Sequence, residues 1–313
     1  MRILRDIQFV DEADRGASVA IGNFDGVHLG HRAVIDIARA QARVLNRPLG
    51  VMTFEPHPRE FFAPDAPPFR LMNAESRAHR LEKLGIEQLY ELHFGPALSS
   101  LTAREFARDV IDGALGLKHA VVGEDFHFGK GREGTAESLR SLGEEFGFGV
   151  TLVPLVKDPE GEFSSTNIRN ALSGGRPGEA ARMLGHWHRI EGNVIRGDHR
   201  GRDLGFPTAN MTVEGLHPPR FGIYAVKADV LSGPNRGGYN GVANMGVKPT
   251  FGTNRPNLET YLFDFRGDLY GAHLSVGLVE FLRPEEKFED SGALISQMKK
   301  DCAQAQSLLK AVG

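Results

Sequence analysis

Two histidines three apart, with a glycine between them, stand in the stretch AIGNFDGVHLGHRAVI (20–35): His28, Gly30 and His31. Apolar residues 17–21 run into Gly22 and read as a buried strand. Beyond His31, Val34, Ile37, Ala38, Val44 and Leu45 are spaced for one face of a helix. The histidines therefore fall in a strand-to-helix turn and the first helical turn. Unpaired backbone N–H groups and the positive end of the helix dipole favour an anion there. Two imidazoles in that place can donate to phosphate oxygens as charge builds during transfer. Their alternative use is to cap or pack the helix. Asn23 and Asp25 share the turn.

Three further stretches of the first half carry related chemistry. TFEPHPREFF (53–62) holds His57 between Pro56 and Pro58, among Phe54, Phe61 and Phe62. That is a surface for a planar aromatic ligand, or a proline-rich turn over core phenylalanines. VGEDFHFGKGREGT (122–135) is a glycine-broken loop with Asp125, Lys130 and Arg132. Its glycines permit close backbone approach and its cations can meet phosphate; a solvated loop is the other reading. In SSTNIRNAL (164–172), Ser164 or Ser165 caps a helix. The hydroxyls of Ser165 and Thr166, the first-turn amides and Arg169 would make a second anion site.

The second half opens with GDHRGRDLGFPTAN (197–210), in which Gly197, Gly201 and Gly205 punctuate a loop carrying Arg200 and Arg202. Such a loop can wrap a polyphosphate, or be a tight surface turn. It is neither a Walker A loop nor a protein-kinase glycine loop. Pro207 fixes the backbone ahead of Thr208 and Asn210, whose oxygens are hard neutral ligands suited to Mg²⁺. Further on, NLETYLFDFRGDLYG (257–271) puts Glu259 on one strand face with Tyr261, Phe263 and Phe265. A carboxylate beside apolar neighbours can take a proton from a bound hydroxyl, or pair with an arginine.

Elements must hold these residues in place. Strand-like runs at 19–21, 49–54, 88–94, 120–122 and 151–156 alternate with helical patterns at 32–45, 74–84, 103–115 and 136–146. Thr102 and Glu105 have capping-box spacing, and Gly85 reads as a C-cap. This alternation predicts an α/β domain with a parallel sheet. Ligands of such sheets sit at the carboxyl ends of the strands, where Asn23, His28, His57 and Asp125 would lie. The pattern changes near residues 184–188. Strand-like runs at 189–195, 224–230, 241–244, 258–265 and 274–281, parted by glycine and proline turns, predict a small antiparallel barrel. A helix at 291–309 closes it.

The 313 residues allow two cored domains, and the net charge of −3 speaks against a broad basic surface for nucleic acid or membrane. Cys302 is the single cysteine, so no intrachain disulfide forms. The charged start MRILRDIQFVDEADRG does not read as a signal peptide, and no run of eighteen apolar residues occurs. The expectation is a cytoplasmic protein, with an oligomer possible.

Taken together, GNFDGVHLGH, FEPHPREFF, VGEDFHFGKGREG and SSTNIR resemble, in order and spacing, the adenylyltransferase half of the bacterial bifunctional riboflavin kinase/FAD synthetase family. GFPTAN and the Glu259 strand resemble its riboflavin kinase half, and the likeness covers about residues 16–309. The resemblance implies a Rossmann-like nucleotidyltransferase domain (1–185) and a six-stranded kinase barrel (186–313). It implies phosphorylation of riboflavin to FMN, then transfer of AMP from ATP to FMN, giving FAD and pyrophosphate. His28 and His31 would then stabilise the triphosphate, with Asn23, Asp25, Ser165, Thr166 and Arg169 also binding ATP. Phe54, Pro56, His57, Pro58, Phe62 and Asp125 would face the flavin. In the kinase half, Gly197, Arg200, Gly201, Arg202, Gly205, Pro207 and Thr208 would bind ATP, Thr208 and Asn210 would hold Mg²⁺, and Glu259 would be the base. Two departures stand out: Asp125 where many relatives have an amide, and His199 where relatives show glycine. They keep open a chain with one degenerate half. A flavin-binding regulator without turnover would need a DNA- or partner-binding element, which the sequence does not display.

Overall fold

The computed structural model describes the chain apart from residues 8–9, 160, 198–204, 251–252 and 313, and apart from the side chains of 158, 248–250 and 253–255. Two compact units result. One comprises Met1–Ala66 and Arg77–Phe163, the other Pro67–Ser76 and Ser164–Gly313.

In the first unit, six strands lie in the order Arg2–Leu4, Gln88–His93, Leu49–Glu55, Ser18–Ile21, His119–Gly123 and Gly149–Val153. Every pairing is parallel. All of Ser18–Ile21 is buried, as are Leu49–Phe54 of the next strand. Continuous apolar runs of this kind mark strands covered on both faces. From Ser18–Ile21 the chain winds to one side through Leu49–Glu55 and Gln88–His93, then crosses to the other side at His119–Gly123. The strand order therefore reverses beside Ser18–Ile21, which makes the loop after that strand the place for a ligand.

Helices Leu29–Leu45, Ala74–Lys83 and Ala136–Phe146 match the predicted segments closely. The predicted capping box forms: Glu105 N donates to Thr102 Oγ1 at 3.2 Å, and Thr102 N donates to Glu105 Oε2 at 2.8 Å. The helix it starts is α-helical only over Ala103–Glu105 and continues as a π-helix over Phe106–Ala114. The wider turn buries Phe106, Ala107, Val110 and Ile111 together. Gly85 takes the left-handed backbone (φ 75°) expected of a C-cap.

The second unit is an antiparallel barrel. Its strands follow the order His188–Asn193, His273–Arg283, Gly222–Val230, Gly237–Thr250, Thr253–Leu262 and Ala209–Thr212. A bridge between Ile195 and Asn210 brings the first and last strands together and nearly closes it. Ile190, Met211, Tyr224, Ala243, Leu258 and Val276 fill the interior. Helix Ser291–Ala311 lays Ala305 and Leu309 on Ala225, Phe263 and Val279. The strand predicted at 258–265 ends at Leu262, because Asp264 turns the chain with a left-handed backbone (φ 58°), a conformation that Asp tolerates. Strand Ala209–Thr212 is absent from the sequence reading. It has four residues and follows directly on Pro207 and Thr208, where turn signals dominate. Helices Ser165–Ser173 and Pro177–Leu184 also belong to this unit.

Candidate active sites

In the first unit, His28 is the N-cap of helix Leu29–Leu45, and its Nδ1 accepts a hydrogen bond from His31 N at 3.3 Å. An accepting Nδ1 sets the neutral tautomer, with the proton on Nε2. The two rings stack, with centroids 3.6 Å apart and planes 20° from parallel. Gly30 explains the spacing: a Cβ there would press to 3.0 Å on the His28 ring and 3.2 Å on Phe163 O. Burial, and then the neighbouring His28, hold the His31 pKa well below 6.5, so His31 is neutral at physiological pH. Its Nδ1 is buried and, among the described residues, makes no hydrogen bond. A buried polar atom without a partner calls for a ligand or water. One nitrogen of His28 caps the helix, and the ring has a second nitrogen that can meet another partner.

The loop between strand and helix is contorted. Phe24, Gly26 and Val27 have φ of 51°, 87° and 45°. Left-handed backbone at a β-branched valine is rare and costly, and persists only where the surroundings impose it. Asp25 is buried within this loop, and the carbonyl of Asn23 accepts from Thr53 Oγ1 at 3.1 Å.

After strand Leu49–Glu55, His57 caps the short helix Pro58–Phe62: its Nδ1 accepts from Arg59 N at 3.1 Å, and its N donates to Glu60 Oε2 at 3.0 Å. Pro56 and Pro58 are half-buried beside it. Phe54 is in the core and meets Phe94 edge-on at 5.9 Å, while Phe61 and Phe62 meet the same ring at 5.5 and 5.7 Å. Phe62 is 68 % exposed. An exposed phenylalanine held by other rings gives a planar ligand a face to stack on. Asp125 is exposed just after strand His119–Gly123, with its Oδ1 against Gly123, where a Cβ would lie 2.7 Å away.

Ser165, Thr166 and Arg169 lie in the second unit, at the start of helix Ser165–Ser173. Ser164, not Ser165, is the cap, accepting from Asn167 N at 3.2 Å. Arg169 donates to Thr166 Oγ1 and to Phe69 O, each at 3.3 Å.

In the barrel, Asn210 is buried on strand Ala209–Thr212, with Thr208 just before it. A Cβ at Gly197 would run into the Asn210 side chain, so that glycine makes a cradle. Gly205 turns with φ 84°, and Phe206 meets Tyr261 edge-on at 5.3 Å. Asn210 pairs with Glu259 across the two strands. Asn257, which the sequence reading passed over, donates from Nδ2 to Asn210 Oδ1 at 3.3 Å and to Glu259 Oε1 at 3.4 Å. Its signal is the two-residue offset from Glu259 on one strand face. A side-chain amide oxygen and a hydroxyl oxygen are hard neutral donors, and that donor set fits Mg²⁺. Arg200, Gly201 and Arg202 lie outside the described residues, as does His199.

Two family models match in series, FAD synthetase over residues 10–167 and riboflavin kinase over 184–309. A bifunctional riboflavin kinase/FMN adenylyltransferase of Escherichia coli K12 is 37 % identical over 96 % of each chain. One of Bacillus subtilis is 38 % identical over 95 % of this chain and 93 % of its own. A crystal structure described as a macrolide-efflux protein of Streptococcus pneumoniae matches with a TM-score of 0.82 at 33 % identity, covering 96 % of both chains. Among the described residues of the present chain, no helix is long and apolar enough to cross a membrane.

Proposed function

The chain belongs to the bifunctional riboflavin kinase/FMN adenylyltransferase family, and from that premise we propose how its residues divide the two reactions. The enzyme converts riboflavin to FMN and FMN to FAD, with ATP as donor in both steps. The functional division is 1–185 for adenylyl transfer and 186–313 for phosphorylation.

In adenylyl transfer, an oxygen of the FMN phosphate attacks the α-phosphorus of ATP. The bond from that phosphorus to the β-phosphate oxygen breaks, and pyrophosphate carries the electron pair away. No residue is bonded to phosphorus on the way. His28 and His31 act through N–H donors on the phosphate oxygens as charge develops. Neutral rings suit this role, because they donate without an added proton to remove. Asn23 and Asp25 shape the ATP loop, and Ser165, Thr166 and Arg169, at the start of their own helix, are assigned to phosphate binding by the family resemblance. Phe54, Pro56, His57, Pro58 and Phe62, with Asp125, face the flavin ring.

In phosphorylation, the terminal ribityl hydroxyl of riboflavin attacks the γ-phosphorus. The bond to the β,γ-bridging oxygen breaks and ADP leaves. Glu259 takes the hydroxyl proton. Gly197, Arg200, Gly201, Arg202, Gly205 and Pro207 form the ATP loop. Thr208 and Asn210 would hold Mg²⁺, which supplies charge neutralisation on the phosphates when bound. We place the enzyme in the cytoplasm, acting on small-molecule substrates; its net charge of −3 speaks against a broad basic surface for nucleic acid.

The observation that carries the reading is the pair of family matches in series, each over a half that contains its own constellation of polar residues. Incubation of the purified protein with riboflavin, ATP and Mg²⁺, followed by chromatography, is expected to give FMN first and FAD after it. Formation of neither product would overturn the reading.

A further inference from the structure

Helix Ala74–Lys83 carries a residue that its amphipathic pattern does not explain. Arg77 precedes buried Leu81 by one turn, on the inward side, and is 1 % exposed. Its Nη2 donates to Glu55 Oε2 at 2.9 Å and to Glu91 Oε2 at 3.2 Å. Its Nη1 reaches the carbonyl oxygen of Asn23 at 3.5 Å. The other oxygen of Glu91 accepts from Arg5 Nε at 2.8 Å, so two cations face two carboxylates.

Packing alone gives little reason for this arrangement. Taking such charges out of water costs about as much as their attraction returns, and apolar residues of similar volume often do as well. What distinguishes Arg77 is where its partners lie. Asn23 begins the contorted loop after strand Ser18–Ile21, and Glu55 ends strand Leu49–Glu55 just before the Pro56–His57–Pro58 turn. Glu91 belongs to the third strand in line, Gln88–His93. One guanidinium therefore spans the carboxyl ends of three neighbouring strands. The left-handed residues Phe24 and Val27 follow within four positions of its contact at Asn23, in backbone that needs external support.

We propose that Arg77 is a positioning residue for adenylyl transfer. Its planar fork sets the distance between the loop of Asn23 and the turn after Glu55, and so brings the α-phosphorus of ATP into line with the phosphate of FMN. The inference rests on the assignment of those two loops to ATP and FMN given above. Lysine does not replace the fork, because a single ammonium cannot hold a carboxylate and a carbonyl in fixed, separate directions. Misplacement of reacting groups by about 1 Å costs on the order of 100-fold in rate.

Arg77→Lys in the full-length enzyme tests this, with FMN adenylylation and riboflavin phosphorylation measured on the same preparation, well below its unfolding transition. Adenylylation is expected to lose tenfold or more, chiefly in kcat, with phosphorylation within twofold of the parent. An arginine that serves the fold alone would lower the unfolding temperature and leave kcat where it was. Should Arg77→Lys not fold, Glu55→Gln carries the test: it weakens the link to the proline turn, and a severalfold loss confined to adenylylation is expected. Adenylylation within twofold of the parent in the folded variant, or a parallel fall in both activities, overturns the proposal. His28→Ala, run beside it, separates the two levels. Loss in His28→Ala without loss in Arg77→Lys removes only the role of Arg77; no loss in His28→Ala removes the loop assignment beneath it.

Discussion

His28 and His31 show how much chemistry two side chains can draw from one turn. A capping bond fixes the His28 tautomer, ring stacking fixes its plane, and burial keeps His31 uncharged. Replacing His28 by alanine is expected to lower FMN adenylylation roughly 100-fold or more, the usual cost of losing one preorganised donor, while riboflavin phosphorylation stays within twofold. Separate assays for FAD and FMN check this. The converse holds at Glu259: Glu259→Gln is expected to slow phosphorylation by about 100-fold or more, in the range for a general base, and to leave FAD formation from added FMN intact. The placing of H-x-G-H at a strand-to-helix turn was legible because strand, glycine and helix start are all local signals. The reason for its glycine was not, since the Phe163 carbonyl that a Cβ would crowd comes from far along the chain. Arg77 and Asn257 were hidden for the same cause: a buried polar residue looks like a surface one until its partners on other strands are known.

At the scale of elements, local rules placed the helices well and the strand ends less well. The Thr102–Glu105 capping box formed as read, because both partners sit within one turn. Thr102→Ala is expected to destabilise the first unit by about 1 kcal/mol, lowering its thermal midpoint by a few degrees without changing either activity. A denaturation curve set beside both assays decides it. The π-helix that follows was not legible, since its widened turn answers to the packing of Phe106 and Val110 and leaves an ordinary helical pattern in the sequence. The barrel strands ran longer or shorter than expected, because pairing with neighbours sets their ends; Gly237–Thr250 continues well past 241–244 along its partner Thr253–Leu262. His188 on strand His188–Asn193 gives a pH test. Burial, then His186 and His217, lower its pKa from 6.5 to about 3. Between those values the unfolded chain binds a proton that the folded one refuses. Stability from this residue is thus complete above pH 6.5 and is lost as pH falls toward 3, by roughly 2 kcal/mol at pH 5. Thermal unfolding of the parent should drop between pH 7 and pH 5, and His188→Gln should flatten part of that drop.

For the molecule as a whole, the sequence displays two folds in series: alternation of strand and helix in one half, closely spaced strands with glycine turns in the other. The parallel six-stranded sheet and the nearly closed six-stranded barrel agree with that reading. Strand order was not legible in the sequence, and it is the order that puts the H-x-G-H turn at the switch point of the first sheet and Asn210 beside Glu259 in the second. Two ATP-binding constellations in one chain make a quantitative demand, namely that each should bind its own ATP. Equilibrium dialysis of the full-length protein with a non-hydrolysable ATP analogue and Mg²⁺, at saturation, tests that demand most directly. Two molecules of nucleotide per chain are predicted, falling to one in a variant whose H-x-G-H site is disabled. A single molecule bound per intact chain would contradict the account.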